Sequence, residues 1–146
     1  MKKILLTLLT TLLLAISSIT YAEDWVEVGE QDDSTIYVDW DSVRRLEEPD
    51  LTVLPSKNPL MYTVKLVKTD DSTLYSKYRV RTVVMYFNSL NQIDGRNYRL
   101  TKSDYLDDNG RLVQTYGTTD FSPIAKGSLG AVVDKYAKAV AVEKGL

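Results

Sequence analysis

Apolar and polar residues alternate over much of the chain, and a two-residue period is the mark of half-buried strands. Trp25-Val26-Glu27-Val28 reads as a first short strand. After the polar turn from Gly29 to Ser34, Ile36, Val38 and Trp40 form one face of a second strand, with Tyr37 and Asp39 opposite. Asp39, Asp41 and Ser42 are good caps and predict a brief helical turn through Val43 to Arg45. Leu46 to Pro59 carries Glu47-Glu48-Pro49-Asp50 and ends on Pro55 and Pro59, which predicts a long irregular connection. Strand character resumes over Leu60 to Lys68, where Tyr62, Val64 and Leu66 share a face, and Asp70-Asp71-Ser72 signals a turn. Lys77 to Asn88 predicts the longest strand, with Tyr78, Val80, Thr82, Val84 and Tyr86 on one face. Its other face begins charged (Lys77, Arg79, Arg81) and turns apolar (Val83, Met85, Phe87), so another element should half cover it. Asn97 to Tyr105 and Gly110 to Tyr116 flank Asp107-Asp108-Asn109-Gly110, whose Asn-Gly supplies the positive φ of a tight hairpin.

The period then changes. Leu129, Val132, Val133, Tyr136 and Val140 recur at the spacing of an amphipathic helix. Ser128 suits its N-cap, Lys138 and Lys144 sit toward its end, and Gly145 suits its exit. Strands with short connections followed by one helix predict an α+β fold: an antiparallel sheet of about six strands with a C-terminal amphipathic helix packed on it.

The N-terminus follows neither period. Lys2 and Lys3 precede an apolar run from Ile4 to Ile16 broken only by threonines, and small or polar residues lead to Ala22 before Glu23-Asp24. That order predicts a secretory signal peptide over residues 1–22. The run is shorter than the roughly 20 apolar residues that span a bilayer. Export with cleavage after Ala22 then leaves one domain, residues 23–146, in the periplasm or outside the cell. Membrane contact is expected only transiently, through the signal peptide.

Of the 146 residues none is cysteine or histidine. The first absence excludes disulfides, thiol nucleophiles and an acylated N-terminal cysteine. The second removes the commonest general base near neutral pH and the commonest metal ligand, so Ser-His-Asp and zinc-protease sites are excluded. The net charge of −2 becomes −4 once Lys2 and Lys3 are removed, which offers no basic footprint for nucleic acid.

Three constellations invite chemistry. Aligning Gly110 with position six of a calcium loop places Tyr105 and Tyr116 where two ligands belong, so a hairpin turn is the better reading. Asp39 and Asp41 form a carboxylate pair of the kind glycosidases use, but turn capping explains them more simply. No Ser-x-x-Lys or Gly-x-Ser-x-Gly occurs, and no enzyme is expected. Lys77, Arg79 and Arg81 would point one way from their strand, with Arg99 on a neighbouring one. That makes them the candidate ligand-binding residues for a polyanionic partner, set against a solvated sheet edge as the simpler alternative.

The order of these motifs resembles a known family. Trp25, Tyr37-Val38-Asp39 with Ser42-Val43-Arg44-Arg45, the strand-hairpin run from Arg96 to Val113, and Phe121-Ser122-Pro123-Ile124 with Lys126-Gly127-Ser128 before the last helix carry the likeness. Together they resemble the surface-adhesin protein E family of bacterial secreted and outer-membrane proteins, over essentially all of residues 23–146. The resemblance implies an antiparallel sheet of about six strands carrying a C-terminal helix. It also implies non-enzymatic adhesion: the best-known member binds host matrix and serum proteins and is associated with haem. A host-matrix or envelope protein, or a polyanionic glycan, is therefore the expected partner, and a soluble periplasmic protein holding a small ligand or envelope partner is the alternative. No cofactor is expected, since no histidine is present for haem iron. Family members often tie the helix to the long central strand with a disulfide. Around Asn88-Ser89 and Tyr136-Ala137 this chain has no cysteine, so packing by Leu129, Val132, Val133 and Tyr136 is expected to hold the helix.

Overall fold

A computed structural model describes residues 23–46, 59–69, 79–92 and 95–146. Strands β1 (Trp25–Gln31), β2 (Ser34–Asp39), β4 (Leu60–Lys68), β5 (Thr82–Gln92), β6 (Gly95–Leu106) and β7 (Leu112–Tyr116) lie in the order β1-β2-β4-β5-β6-β7. Every pairing is antiparallel. Two short strands extend this sheet: β3 (Arg44–Arg45) pairs with β4, and β8 (Ser122–Pro123) pairs with β6. Helix α1 (Leu129–Glu143) follows the last strand and packs on one face, giving the α+β architecture that the residue pattern predicts.

Strand β4 has the bounds its alternation predicts. Leu60, Tyr62 and Val64 are buried toward the helix, and the register sets Tyr62 beside Phe87 and Val64 beside Met85. Ile36, Val38, Val133, Ala137 and Val140 complete the core.

Three local expectations are corrected. Val43 to Arg45 forms no helical turn: Ser42 N and Val43 N bond to Asp39 O and Trp40 O, and Arg44-Arg45 then extends beside Met61 and Leu60. The central strand starts at Thr82 rather than Lys77, because Arg79 adopts a positive φ of 52° and Val80 is buried as an isolated bridge. The tightest hairpin joins β1 and β2 through Asp32 and Asp33, both at positive φ, as a two-residue turn of this hand requires. The later hairpin stands where it is predicted, between β6 and β7 with Gly110 at positive φ, and the Asp107 carboxylate accepts bonds from the backbone N–H of Asn109 and Arg111. Those two bonds, Arg111's foremost, hold its carboxyl below the usual range.

The helix buries most of its predicted stripe: Val133 and Val140 lie in the core, and Leu129 and Tyr136 pack against it. Its buried residues are Gly130, Val133, Asp134, Ala137, Val140 and Ala141, whereas Val132 is exposed. Small residues on this side let the helix approach the sheet, and a Cβ on Gly130 would stand 3.3 Å from the Tyr98 ring. Ser128 caps the start by accepting from Ala131 N, and Leu146 N closes the end on Ala141 O beyond Gly145, at φ 71°. Lys144 Nζ donates to the carbonyl oxygens of Trp40 and Val43 and lies over the Trp40 ring. The predicted turn at Asp70 to Ser72 and most of the predicted Leu46 to Pro59 connection lie outside the described residues.

Candidate binding cleft

Among the described residues one face of the sheet is only half covered. Helix α1 packs mainly over β1, β2 and β4 and meets β6 near its start, so part of the same face of β5 and β6 continues past it. Alternation places Met85 and Phe87 on this face, and the β5–β6 register sets Phe87 opposite Leu100 and Ser89 opposite Tyr98. These side chains floor a cleft of about 400 Å³. Leu129 and Gly130 form its wall at the start of the helix. Thr119, Asp120, Ser122 and Ser128 form its rim. The volume lies in the range of small-molecule sites, and an apolar floor beneath a few polar groups is their usual composition.

The floor is fixed by aromatic packing. Phe87 stacks on Tyr62 with centroids 5.7 Å apart and meets Tyr98, also at 5.7 Å, at a tilt of 58°. The rim is held by the backbone of β6: Thr119 N donates to Leu100 O, Thr119 Oγ1 accepts from Leu100 N, and β8 pairs with Asn97 and Tyr98. Ser128 Oγ donates to Ala125 O while capping the helix. Asp120 and Tyr98 are the cleft's ionisable side chains, and Asp120 engages no cation among the described residues.

Behind the cleft, one ion pair joins helix to sheet. Arg96 donates from Nε to Asp134 Oδ2 at 2.5 Å and from Nη2 to Asp134 Oδ1 at 2.8 Å. A further bond from Nη2 reaches Ser89 Oγ at 2.9 Å. The forked pair thus ties the helix to β6, beside the packing of Leu129, Val133 and Tyr136.

Tyr62 lies against this pair. Burial first, then the negative charge of Asp134, raises its phenol well above the ordinary value of 10. Above about pH 10 the unfolded chain releases this proton while the folded one keeps it, so stability falls as pH rises. Urea midpoints from pH 8 to 11 are expected to fall less steeply for Tyr62→Phe than for the parent chain. Parallel curves would contradict this assignment.

Among the described residues no helix covers the opposite sheet face, which carries lysines laid on rings. Lys65 Nζ stands 4.2 Å from the Trp25 ring centroid and 5.0 Å from that of Tyr37. Lys102 Nζ is 4.9 Å from the Tyr86 ring and 2.6 Å from Asp104 Oδ2, whose other oxygen accepts from Thr115 Oγ1. Partial burial lowers the Lys65 pKa, whereas the hydrogen bond to Asp104 raises that of Lys102.

Of the predicted basic stripe the described residues Arg79, Arg81 and Arg99 lie apart. Lys77 lies outside the described residues. Arg79 precedes the strand and pairs with Asp108 at 3.3 Å on the surface, where such pairs contribute little. Arg81 Nη2 donates to Lys68 O, and its backbone N–H bonds to Leu106 O. Arg99 sits opposite Asn88 with its guanidinium 4.7 Å from the Phe121 ring. Seven residues of β6 separate Arg99 from Leu106, or about 23 Å along the strand. Asp39 and Asp41 remain turn residues: the Asp39 carboxylate accepts from Asp41 N, and burial raises its pKa. The cleft is not legible in the residue pattern, because its lining comes from positions 85 to 130 brought together by the fold. The one legible signal behind it is a carboxylate, Asp134, set among apolar positions of the helix.

Among the described residues no helix is long and apolar enough to cross a membrane. Compared with known proteins, the chain matches no family model, no curated protein and no solved structure.

Proposed function

We propose that this chain is an exported, non-enzymatic binding module whose ligand is small and largely apolar, seated in the cleft beside the start of α1. The observation that carries this reading is the half-covered sheet face: among the described residues an apolar and aromatic floor lines a cleft beside the start of a helix that packs mainly over β1, β2 and β4. Export rests on the lysine pair and apolar run of residues 2–16. The non-enzymatic part rests on the cleft's composition, since acid–base chemistry uses matched groups and Asp120 has only the Tyr98 phenol for company. An adhesive use in the manner of the surface-adhesin protein E family would draw on the open face, where lysines already cover Trp25, Tyr37 and Tyr86. The small-ligand form of the reading is therefore the better supported.

Titration with the uncharged dye N-phenylnaphthylamine tests it. Saturable binding at one site is expected. Ser122→Trp, which fills the mouth from an exposed rim position, should weaken it by about tenfold or more, a loss of about 1.4 kcal/mol. Val142→Trp, on the exposed side of the helix, should leave it unchanged. Equal binding by both variants, or none by the parent chain, would overturn the reading.

A further inference from the structure

We infer that the cleft selects a ligand with an apolar body and an ammonium head, an inference that rests on the small-ligand reading above. Shape and charge carry it together. The floor of Met85, Phe87, Tyr98 and Leu100 offers an apolar body no polar partner except the Tyr98 hydroxyl. Charge enters the lining only at Asp120, on the rim, where the carboxylate is exposed and engages no cation among the described residues. Ser122 adds a rim hydroxyl with no hydrogen-bond partner among the described residues, while Thr119 and Ser128 already use theirs. An ammonium has three donors and no acceptor, so it matches a carboxylate beside an unused hydroxyl.

The start of α1 pulls the other way. Its partial positive charge, about half an elementary charge, favours an anion, but Asp120 brings a full negative charge to the same rim. Ser128 has already taken the N–H of Ala131, which reduces what an anion gains there. The balance favours a cation. Because Asp120 is exposed, its attraction is that of a surface ion pair, worth about fivefold at most and weakened by salt.

Calorimetric titration of the full chain at pH 7 with n-octylammonium, 1-octanol and octanoate, each below its aggregation limit, tests this. Octylammonium is expected to bind about fivefold more tightly than octanol, with octanoate weakest. In Asp120→Asn the first two should converge. Octanoate equalling or exceeding octylammonium, or a preference that persists in Asp120→Asn, would overturn the ammonium assignment while leaving the cleft as a site. Failure of all three to bind or to displace N-phenylnaphthylamine would remove the assignment. Loss of dye binding as well would remove the cleft reading beneath it.

Discussion

Asp134→Ala is expected to cost about 3 kcal/mol of folding stability, the lower end for breaking a buried ion pair. The loss does not come from the pair's attraction alone. With Asp134 gone, the Arg96 guanidinium stays between helix and sheet with its side chain 19% exposed and loses both charge-assisted bonds to the helix. A small domain has only about 5–15 kcal/mol in all, so the urea midpoint should shift visibly. Replacing both partners, Arg96→Met with Asp134→Leu, should recover much of the loss, because apolar groups of similar size avoid the desolvation of two charges. A cost below about 1 kcal/mol for Asp134→Ala would mean that helix packing alone holds α1.

Phe87→Ala is expected to cost about 3–4 kcal/mol, in the range for large aromatic truncations. Phe87 is 5% exposed and sits between Tyr62 and Tyr98, so its removal opens a void that two other rings border. Phe87→Leu keeps most of the volume and should cost less than about 1.5 kcal/mol. Urea denaturation of both variants checks the order. Similar small losses for the two would mean that the floor collapses to fill the space, and that the cleft is not rigid.

Elements with a clean period are legible in the residues themselves. Leu60, Tyr62, Val64 and Leu66 keep one apolar face, and β4 forms over Leu60–Lys68. The helix is legible as a helix, and so is most of its buried side, since only Val132 of the predicted stripe turns outward. What hydrophobicity does not report are the small residues Gly130, Ala137 and Ala141 on that side and Asp134, whose ion-pair partner lies 38 positions away in sequence. The start of β5 is hidden because Arg79 continues the alternation while its backbone turns left-handed, a choice that side-chain pattern does not report. Asp32-Asp33 is equally silent, since aspartate can adopt positive φ but glycine or asparagine is the usual signal. The same turn at Arg79 takes that residue out of the strand alternation on which the predicted basic stripe depends. The cleft depends on register across β5, β6 and β8 and on where the helix stops covering them, so no local motif could announce it.

The most direct test is an amide chemical-shift map of the full ¹⁵N-labelled chain titrated with octylammonium and with N-phenylnaphthylamine. Shifts are expected to gather at Leu100, Thr119, Ser128 and Gly130, with Trp25, Tyr37 and Lys65 on the open face unmoved. Shifts centred on Trp25, Tyr37 and Lys65 instead, with the cleft amides unmoved, would contradict the account.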